Sequence, residues 1–114
     1  MNAYELTDGE IQLSILTLLY KQRRAHPKDP ELTRQQIVEG LGIPEDRIIF
    51  NANYLQEKDL IHYEDTTQEG FYWAKITANG MDAIDNKEER KRTWNFLGLK
   101  IPIHIEAKFA FFNL

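Results

Sequence analysis

A glycine near the middle of the sequence separates two segments that both have the pattern of a helix. Thr33 and Gln36 fit a capping box, in which the Thr33 hydroxyl accepts from the Gln36 amide and the Gln36 side chain reaches back. Helical spacing continues to about Leu41, and Gly42 can adopt the left-handed conformation that ends a helix. Pro44 suits the first turn of the next helix, because its missing N–H would have no partner there. The sequence therefore predicts two helices joined by a tight turn.

Another helix precedes this pair, so the two helices on either side of the glycine turn are the second and the third. Thr7 and Glu10 fit another capping box, and apolar residues recur at helical spacing to about Gln22. They form two nearly opposite stripes, so we expect the first helix to be covered on both sides. The third helix is predicted from residue 44 to about residue 58. Its predicted inward residues are Ile48, Ala52 and Leu55.

After Asp59 the hydrophobic period changes from helical to alternating. Residues 60–64 and 71–76 alternate as the two strands of a hairpin do. Thr77 is placed to cap a fourth helix, predicted from residue 78 to about residue 93. The predicted inward residues of this helix are Met81 and Ile84.

The last part of the chain carries the strongest strand signal. From residue 97 to residue 109 every odd position is apolar, and the even positions hold glycine, lysine, proline, histidine or glutamate. Pro102 removes a ladder donor, which favours a sheet edge or a break between two shorter strands. We interpret residues 1–95 as the main domain and 96–114 as its C-terminal strand and dimerisation segment. The apolar ending also leaves open that the chain is a fragment of a longer protein.

The order of elements resembles the winged helix-turn-helix fold of MarR-like and related prokaryotic transcriptional regulators. The resemblance is carried by residues 33–43, by residues 57–61 at the entry to the wing, and by residues 75–80 after it. Members of the family usually have glycine where this chain has Asp59. The resemblance covers about residues 7–92 and implies an α+β fold, mainly α, with a two-stranded wing. The C-terminal β-strand-like segment is additional to this pattern.

The resemblance implies a DNA-binding transcriptional regulator whose partner is double-stranded DNA. The helix 44–58 would be the recognition helix, which enters the major groove, and 60–76 would be the wing. The predicted outward residues of the helix 44–58 are Glu45, Asp46, Arg47, Phe50, Asn51 and Tyr54. Arg47 would read guanine, Asn51 would read adenine, and residues 34 and 35 would contact phosphate. The candidate DNA-binding residues are Arg34, Gln35, Arg47, Phe50, Asn51 and Tyr54.

The charge distribution keeps a second interpretation open. Residues 43–72 contain two basic and seven acidic residues, a net charge of −5, whereas a surface that approaches phosphates needs positive charge. Basic residues cluster instead at 21–28 and 87–92. We interpret them as solvated helix ends, with phosphate contact by another face as the alternative. The alternative is a winged-helix module for protein–protein contact with little or no DNA affinity.

Two apolar surfaces are left over by this arrangement: the second stripe of the first helix and the apolar face of segment 97–109. Within one chain they could cover each other, and between two chains they would form an interface. We favour a homodimer, because two-fold symmetry suits this class and a bare apolar edge strand invites aggregation. The candidate dimer-interface residues are Leu13, Leu16, Tyr20, Leu99, Ile101, Ile103 and Ile105.

Aromatic residues on the second wing strand allow two interpretations. Alternation places Phe71 and Trp73 on one face and Tyr72, Ala74 and Ile76 on the other. Trp73 either closes the hydrophobic core or belongs to an exposed patch for a partner or a small effector.

Catalytic, metal-binding and membrane functions find little support in the sequence. Ser14 lies in an apolar helix, and His26, His62 and His104 are isolated, so no nucleophile or metal-ligand pattern arises. The chain has no cysteine, and no apolar run approaches the roughly 20 residues of a membrane-spanning helix. We expect a cytoplasmic protein that is not an enzyme, with no cofactor, no metal and no membrane contact.

Overall fold

The computed structural model describes residues 6–64 and 70–85. The predicted remainder of the fourth helix and the alternating segment, with Leu99, Ile101, Ile103 and Ile105, lie outside the described residues. The described elements are, in chain order, α1 (Asp8–Ala25), β1 (Leu32–Thr33), α2 (Arg34–Leu41), α3 (Glu45–Glu57), β2 (Ile61–Glu64), β3 (Trp73–Ile76) and α4 (Ala78–Asp85).

The predicted helix boundaries around the glycine turn are confirmed, with one small difference. Thr7 caps α1 and Thr33 caps α2, each hydroxyl accepting at 3.1 Å from the amide three residues later. Both capping boxes are complete, since the side chain at that third position reaches back to the cap. Gly42 ends α2 with a φ of 65°. Pro44 precedes α3 as its N-cap and is not part of its first turn.

Helix α1 is the centre of the fold. It packs against α2, α3, α4 and β3, so both of its apolar stripes are covered, as predicted. The prediction that Leu13, Leu16 and Tyr20 lie between two chains is wrong, because the elements of a single chain already bury them. Their exposed fractions are 2%, 0% and 4% respectively.

The wing belongs to a three-stranded antiparallel sheet in the order β1-β3-β2. The β2–β3 hairpin was predicted, and Ile61 pairs with Ile76 in its register. Strand β1 was not predicted, because two residues are too few to show alternation. It adds Leu32 and Thr33 to the free edge of β3 and thereby ties the start of α2 to the wing.

Trp73 does not close the hydrophobic core. The inward positions of β3 are taken by Ala74 and Ile76, which are both fully buried. Trp73 is half-buried on the outer face of the sheet, where its ring meets His62 edge-on at a centroid distance of 5.9 Å. Phe71 is also buried, although alternation placed it with Trp73, because the regular strand begins only after it.

Helix α4 closes the fold over the hairpin. The Thr77 hydroxyl accepts from the Gly80 amide at 3.0 Å, which confirms the predicted cap. Gly80 sits so close to the preceding strands that a Cβ there would overlap the Leu60 carbonyl oxygen. Ile84 is buried and Met81 is half-buried against the core, as predicted.

Candidate nucleic-acid interface

One face of α3 points away from the other described elements. The inward residues Ile48, Ala52 and Leu55 are buried, as predicted. On the opposite side the exposed residues recur every three or four positions, which makes a continuous stripe along the helix. They are Asp46, Phe50, Asn53 and Glu57, with Phe50 61% exposed. The sequence analysis missed Asn53, although the helical spacing from Asp46 and Phe50 places it on this stripe.

Asn51 does not face outward, and its predicted contact with adenine is therefore corrected. The side chain is fully buried. Its amide nitrogen donates to Asp8 Oδ1 at 3.1 Å and to the Arg47 carbonyl at 2.9 Å, while its oxygen accepts from Gln12 Nε2 at 2.9 Å. The physical reason is that a buried amide needs hydrogen-bond partners, and α1 supplies them. Asn51 ties α3 to α1 and is not available to a base edge.

Arg47 lies beside this polar cluster and is already engaged within the protein. Its Nη1 donates to the Leu6 carbonyl at 2.8 Å, and its Nη2 pairs with Asp8 Oδ1 at 3.0 Å. The side chain of Arg47 is 25% exposed and that of Asp8 is 54% exposed. Hydrogen bonds from Asn51 and Arg47 hold the pKa of Asp8 below its ordinary value. Arg47 thus sits at the rim of the exposed stripe, paired with a carboxylate.

Arg34 connects α2, α3 and the wing. Its Nε pairs with Glu45 Oε1 at 2.8 Å, and its Nη1 donates to the Phe71 carbonyl at 3.2 Å. Its backbone amide donates to the Tyr72 carbonyl at 3.1 Å. Gly70, at a φ of 131°, packs so closely that a Cβ there would lie 3.1 Å from Arg34 Nη1. These contacts hold the helix-turn-helix and the wing together as one unit.

A groove of about 520 Å³ opens between the start of α2 and the wing. Arg34 and Gln35, the two predicted phosphate contacts, both line it, together with Tyr72. Gln35 is exposed and donates to Glu39 Oε1 at 3.0 Å. Tyr72 is 58% exposed. The sequence analysis missed it as a candidate, because alternation places it on one face of the strand without showing which face is exposed.

The remaining candidate, Tyr54, lies at the edge of the exposed stripe. It is half-buried, and the Lys58 ammonium stands 5.3 Å from the centroid of its ring. Of the candidate residues, Phe50 and Gln35 are exposed, whereas Arg34, Arg47 and Tyr54 are half-buried. Within residues 6–64 and 70–85, no group of three or more acidic, histidine or cysteine side chains could hold a metal ion. In the same part of the chain, no helix combines the length and the apolarity needed to cross a bilayer.

The fold defined by these elements is a winged helix-turn-helix, mainly helical with a small antiparallel sheet. No protein-family model matches the sequence, and no curated protein matches it. The chain is similar to two solved structures of a double mutant of ZitR from Lactococcus lactis. One has 24% identity and a TM-score of 0.50 over 94% of this chain and 70% of ZitR. The other, in the apo form, has 23% identity and a TM-score of 0.49 over 90% and 75%. At this level of identity the similarity is one of fold.

Proposed function

We propose that this protein is a DNA-binding transcriptional regulator of the winged-helix type. Helix α3 would be its recognition helix and the β2–β3 hairpin its wing. The observation that carries the proposal is the stripe of α3 that the described elements leave uncovered, beside a groove that links α2 to the wing. In helix-turn-helix proteins the recognition helix lies in the major groove while neighbouring elements contact the backbone.

The exposed side chains suggest how the contacts are divided. Asn53, which replaces the buried Asn51 in this role, has the amide needed for a bidentate contact with adenine. Phe50 offers an apolar surface that suits a thymine methyl group. Gln35 and Tyr72 carry donors that suit phosphate oxygens on the groove side of the interface.

The carboxylates on this surface define the affinity that we expect. Three carboxylates are exposed on α3, those of Glu45, Asp46 and Glu57, and each would repel a phosphate group of bound DNA. Counterion release supplies most non-specific affinity, so non-specific binding should be weak and should vanish as salt is raised. A specific site would then owe its affinity to base contacts and to fit.

The test is the fluorescence anisotropy of a labelled random-sequence duplex titrated with the full chain at about 50 and about 200 mM salt. We expect binding at the lower concentration that falls steeply at the higher one. The variant Asp46→Lys, on the exposed stripe, should bind the duplex more tightly. The slope of its log affinity against log salt concentration should steepen by roughly the amount that one phosphate contact contributes. Asp82→Lys makes the same charge change on an exposed position of α4 and is the matched control. Equal effects of the two substitutions would remove α3 from the interface.

A second function is supported by the chemistry of the same stripe. A phenylalanine that is 61% exposed and flanked by carboxylates suits a basic protein partner better than a polyanion. Absence of binding by the wild type and by Asp46→Lys at the lower salt concentration would favour this protein-contact module over the DNA-binding regulator.

A further inference from the structure

Arg47 is the single basic residue of α3 and lies in the N-terminal half of the helix. That half is the part of a recognition helix that reaches the base edges. In the free protein, however, both terminal nitrogens of the guanidinium are occupied, one by the Leu6 carbonyl and the other by Asp8. The positive charge that α3 would bring to DNA is therefore held by an acid from a different helix.

The Asp8 carboxylate offers Arg47 the same kind of partner as a phosphate group. Both are oxyanions that accept charge-assisted hydrogen bonds from a guanidinium. Asp8 is fixed in place by Asn51, whose amide donates to the same Oδ1 atom at 3.1 Å. Its position in the first turn of α1 further favours the ionised form, because the helix N-terminus carries partial positive charge.

The ion pair is nevertheless open to exchange. Asp8 is 54% exposed, so solvent screens the pair and its net stabilisation is modest. Arg34 is paired with an equally exposed carboxylate, that of Glu45. Its guanidinium, however, bonds to the Phe71 carbonyl of the wing and packs closely against Gly70, so it is a structural link between α2 and the wing. Arg47 lies on α3 itself, so a phosphate beside this helix can take the place of the exposed Asp8 carboxylate while the bond to the Leu6 carbonyl is kept.

We propose that Asp8 is an internal competitor for DNA, which holds Arg47 in the free protein and is displaced from it by a phosphate group in the complex. This proposal rests on the proposed DNA-binding function and adds a regulatory residue to its interface. Each encounter with DNA must break the Arg47–Asp8 pair and brings a phosphate near the freed carboxylate. Asp8 thereby lowers the affinity of every complex in which Arg47 contacts a phosphate, including complexes with non-specific sites.

The experiment uses the full chain with Asp8→Asn, whose amide oxygen keeps an acceptor for Asn51 while the charge is removed. We expect the affinity for the random-sequence duplex to rise about two- to fivefold at the lower salt concentration, the range that an exposed ion pair accounts for. The slope of log affinity against log salt should steepen by about one phosphate contact, because no freed Asp8 carboxylate then offsets the phosphate contact of Arg47. Asp8→Ser is a second neutral variant, for use if Asp8→Asn melts below the assay temperature.

Two further variants separate this competition from a general loss of negative charge. Asp82→Asn removes one charge from an exposed position of α4, outside the proposed interface, and gives the general effect. In an Arg47→Ala background, Asp8→Asn should retain only that general effect. The gain specific to the pair is the difference between the two backgrounds, as in any double-mutant cycle.

The outcomes are distinguishable. A gain for Asp8→Asn that exceeds that of Asp82→Asn, and that falls to the general effect without Arg47, supports the competitor, whereas a gain of the same size with and without Arg47 overturns it. Wild-type binding that Asp8→Asn leaves unchanged or weakens overturns the competitor while the DNA-binding function stands. If the wild type and every variant fail to bind at the lower salt concentration, the DNA-binding function itself is wrong and the competitor falls with it.

Discussion

Hydrogen bonds between a few side chains fix the orientation of α3 on α1. Asp8 accepts from Arg47 and Asn51 through one oxygen atom, and Gln12 completes the cluster by donating to Asn51. Such a cluster is sensitive to the loss of any member, because a buried amide left without partners is costly. Asn51 therefore fixes the orientation of the helix whose outer face we propose as the interface.

The lowered pKa of Asp8 makes this cluster a source of pH-dependent stability. Its folded pKa lies below the ordinary value of 3.8, so its contribution is fully present above that pH and is lost as the pH falls through the folded pKa. We expect Asp8→Asn to be less stable than the wild type at neutral pH and equally stable once Asp8 is protonated. Urea denaturation of both proteins at neutral pH and at a series of acidic pH values measures the difference. A difference that stays constant down to the lowest pH would contradict the assignment.

The error over Asn51 shows what the sequence could and could not predict at this scale. Asn51 precedes Leu55 by four residues, so the two share a face, whereas Asn53 falls on the opposite side with Phe50. Spacing alone thus contained the correction. The partners of Asn51 could not be predicted, because Asp8 and Gln12 lie far away in the sequence and meet it only through tertiary packing.

Among the elements, α4 depends on one close approach to the hairpin. An added methyl group at Gly80 would overlap the Leu60 carbonyl and lie 2.5 Å from Ile76 Cγ1, neither of which can move without disturbing the sheet. We expect Gly80→Ala to lower the free energy of unfolding by about 1–3 kcal/mol, as overpacking does. Gly40→Ala in α2 is the matched control, since its Cβ would meet only Leu18 at 3.6 Å.

That control should change stability in the opposite direction. Replacing glycine by alanine inside a helix reduces the entropy lost on folding, so Gly40→Ala should stabilise by about 0.5–1 kcal/mol. Chemical denaturation of both variants under one set of conditions provides the comparison. Destabilisation by both substitutions to a similar extent would show that the contacts of Gly80 are not the cause.

The connection from α3 to β2 depends on an aspartate in a conformation that usually requires glycine. Asp59 has a φ of 59°, and its carboxylate accepts from Asn79 Nδ2 at 2.8 Å. Aspartate tolerates the left-handed region better than most residues, because its short polar side chain finds local partners. Aspartate in place of glycine therefore leaves the turn intact.

We expect Asp59→Ala to cost roughly 1 kcal/mol more than Asp59→Gly. Both substitutions lose the bond to Asn79, and alanine alone keeps the backbone strain. Thermal unfolding of the two variants, followed by circular dichroism, measures the difference. If alanine proves as stable as glycine, the left-handed conformation of this residue carries no strain.

Elements with local signals were predicted well, and elements defined by tertiary contacts were not. The capping residues Thr7 and Thr33 and the glycine stop at Gly42 act within one turn of the chain, so the sequence displays them directly. Strand β1 consists of two residues and exists only because β3 lies beside it. Trp73 was equally ambiguous, because alternation assigns two faces without saying which one packs inward.

Over the whole molecule, the least predictable property was which surface covers which. The two stripes of α1 were correctly predicted to be covered, but a sequence does not say whether the cover comes from the same chain or from another. The structure shows that one chain suffices, since α2, α3, α4 and β3 all pack on α1. The homodimer stays a prediction, and its remaining candidate interface residues are Leu99, Ile101, Ile103 and Ile105.

These residues lead to the last prediction, made on the full chain. Ile101→Glu combined with Ile103→Glu places two charges among the proposed interface residues, and we expect it to convert a dimer into a monomer of unchanged helix content. Leu16→Ala is the contrasting variant, because Leu16 is fully buried in one chain. It should lower the free energy of unfolding by about 2–5 kcal/mol and leave the dimer intact. Light scattering after size exclusion gives the mass of each protein. A monomeric wild type, or a dimer that survives both glutamates, would exclude this segment as the interface.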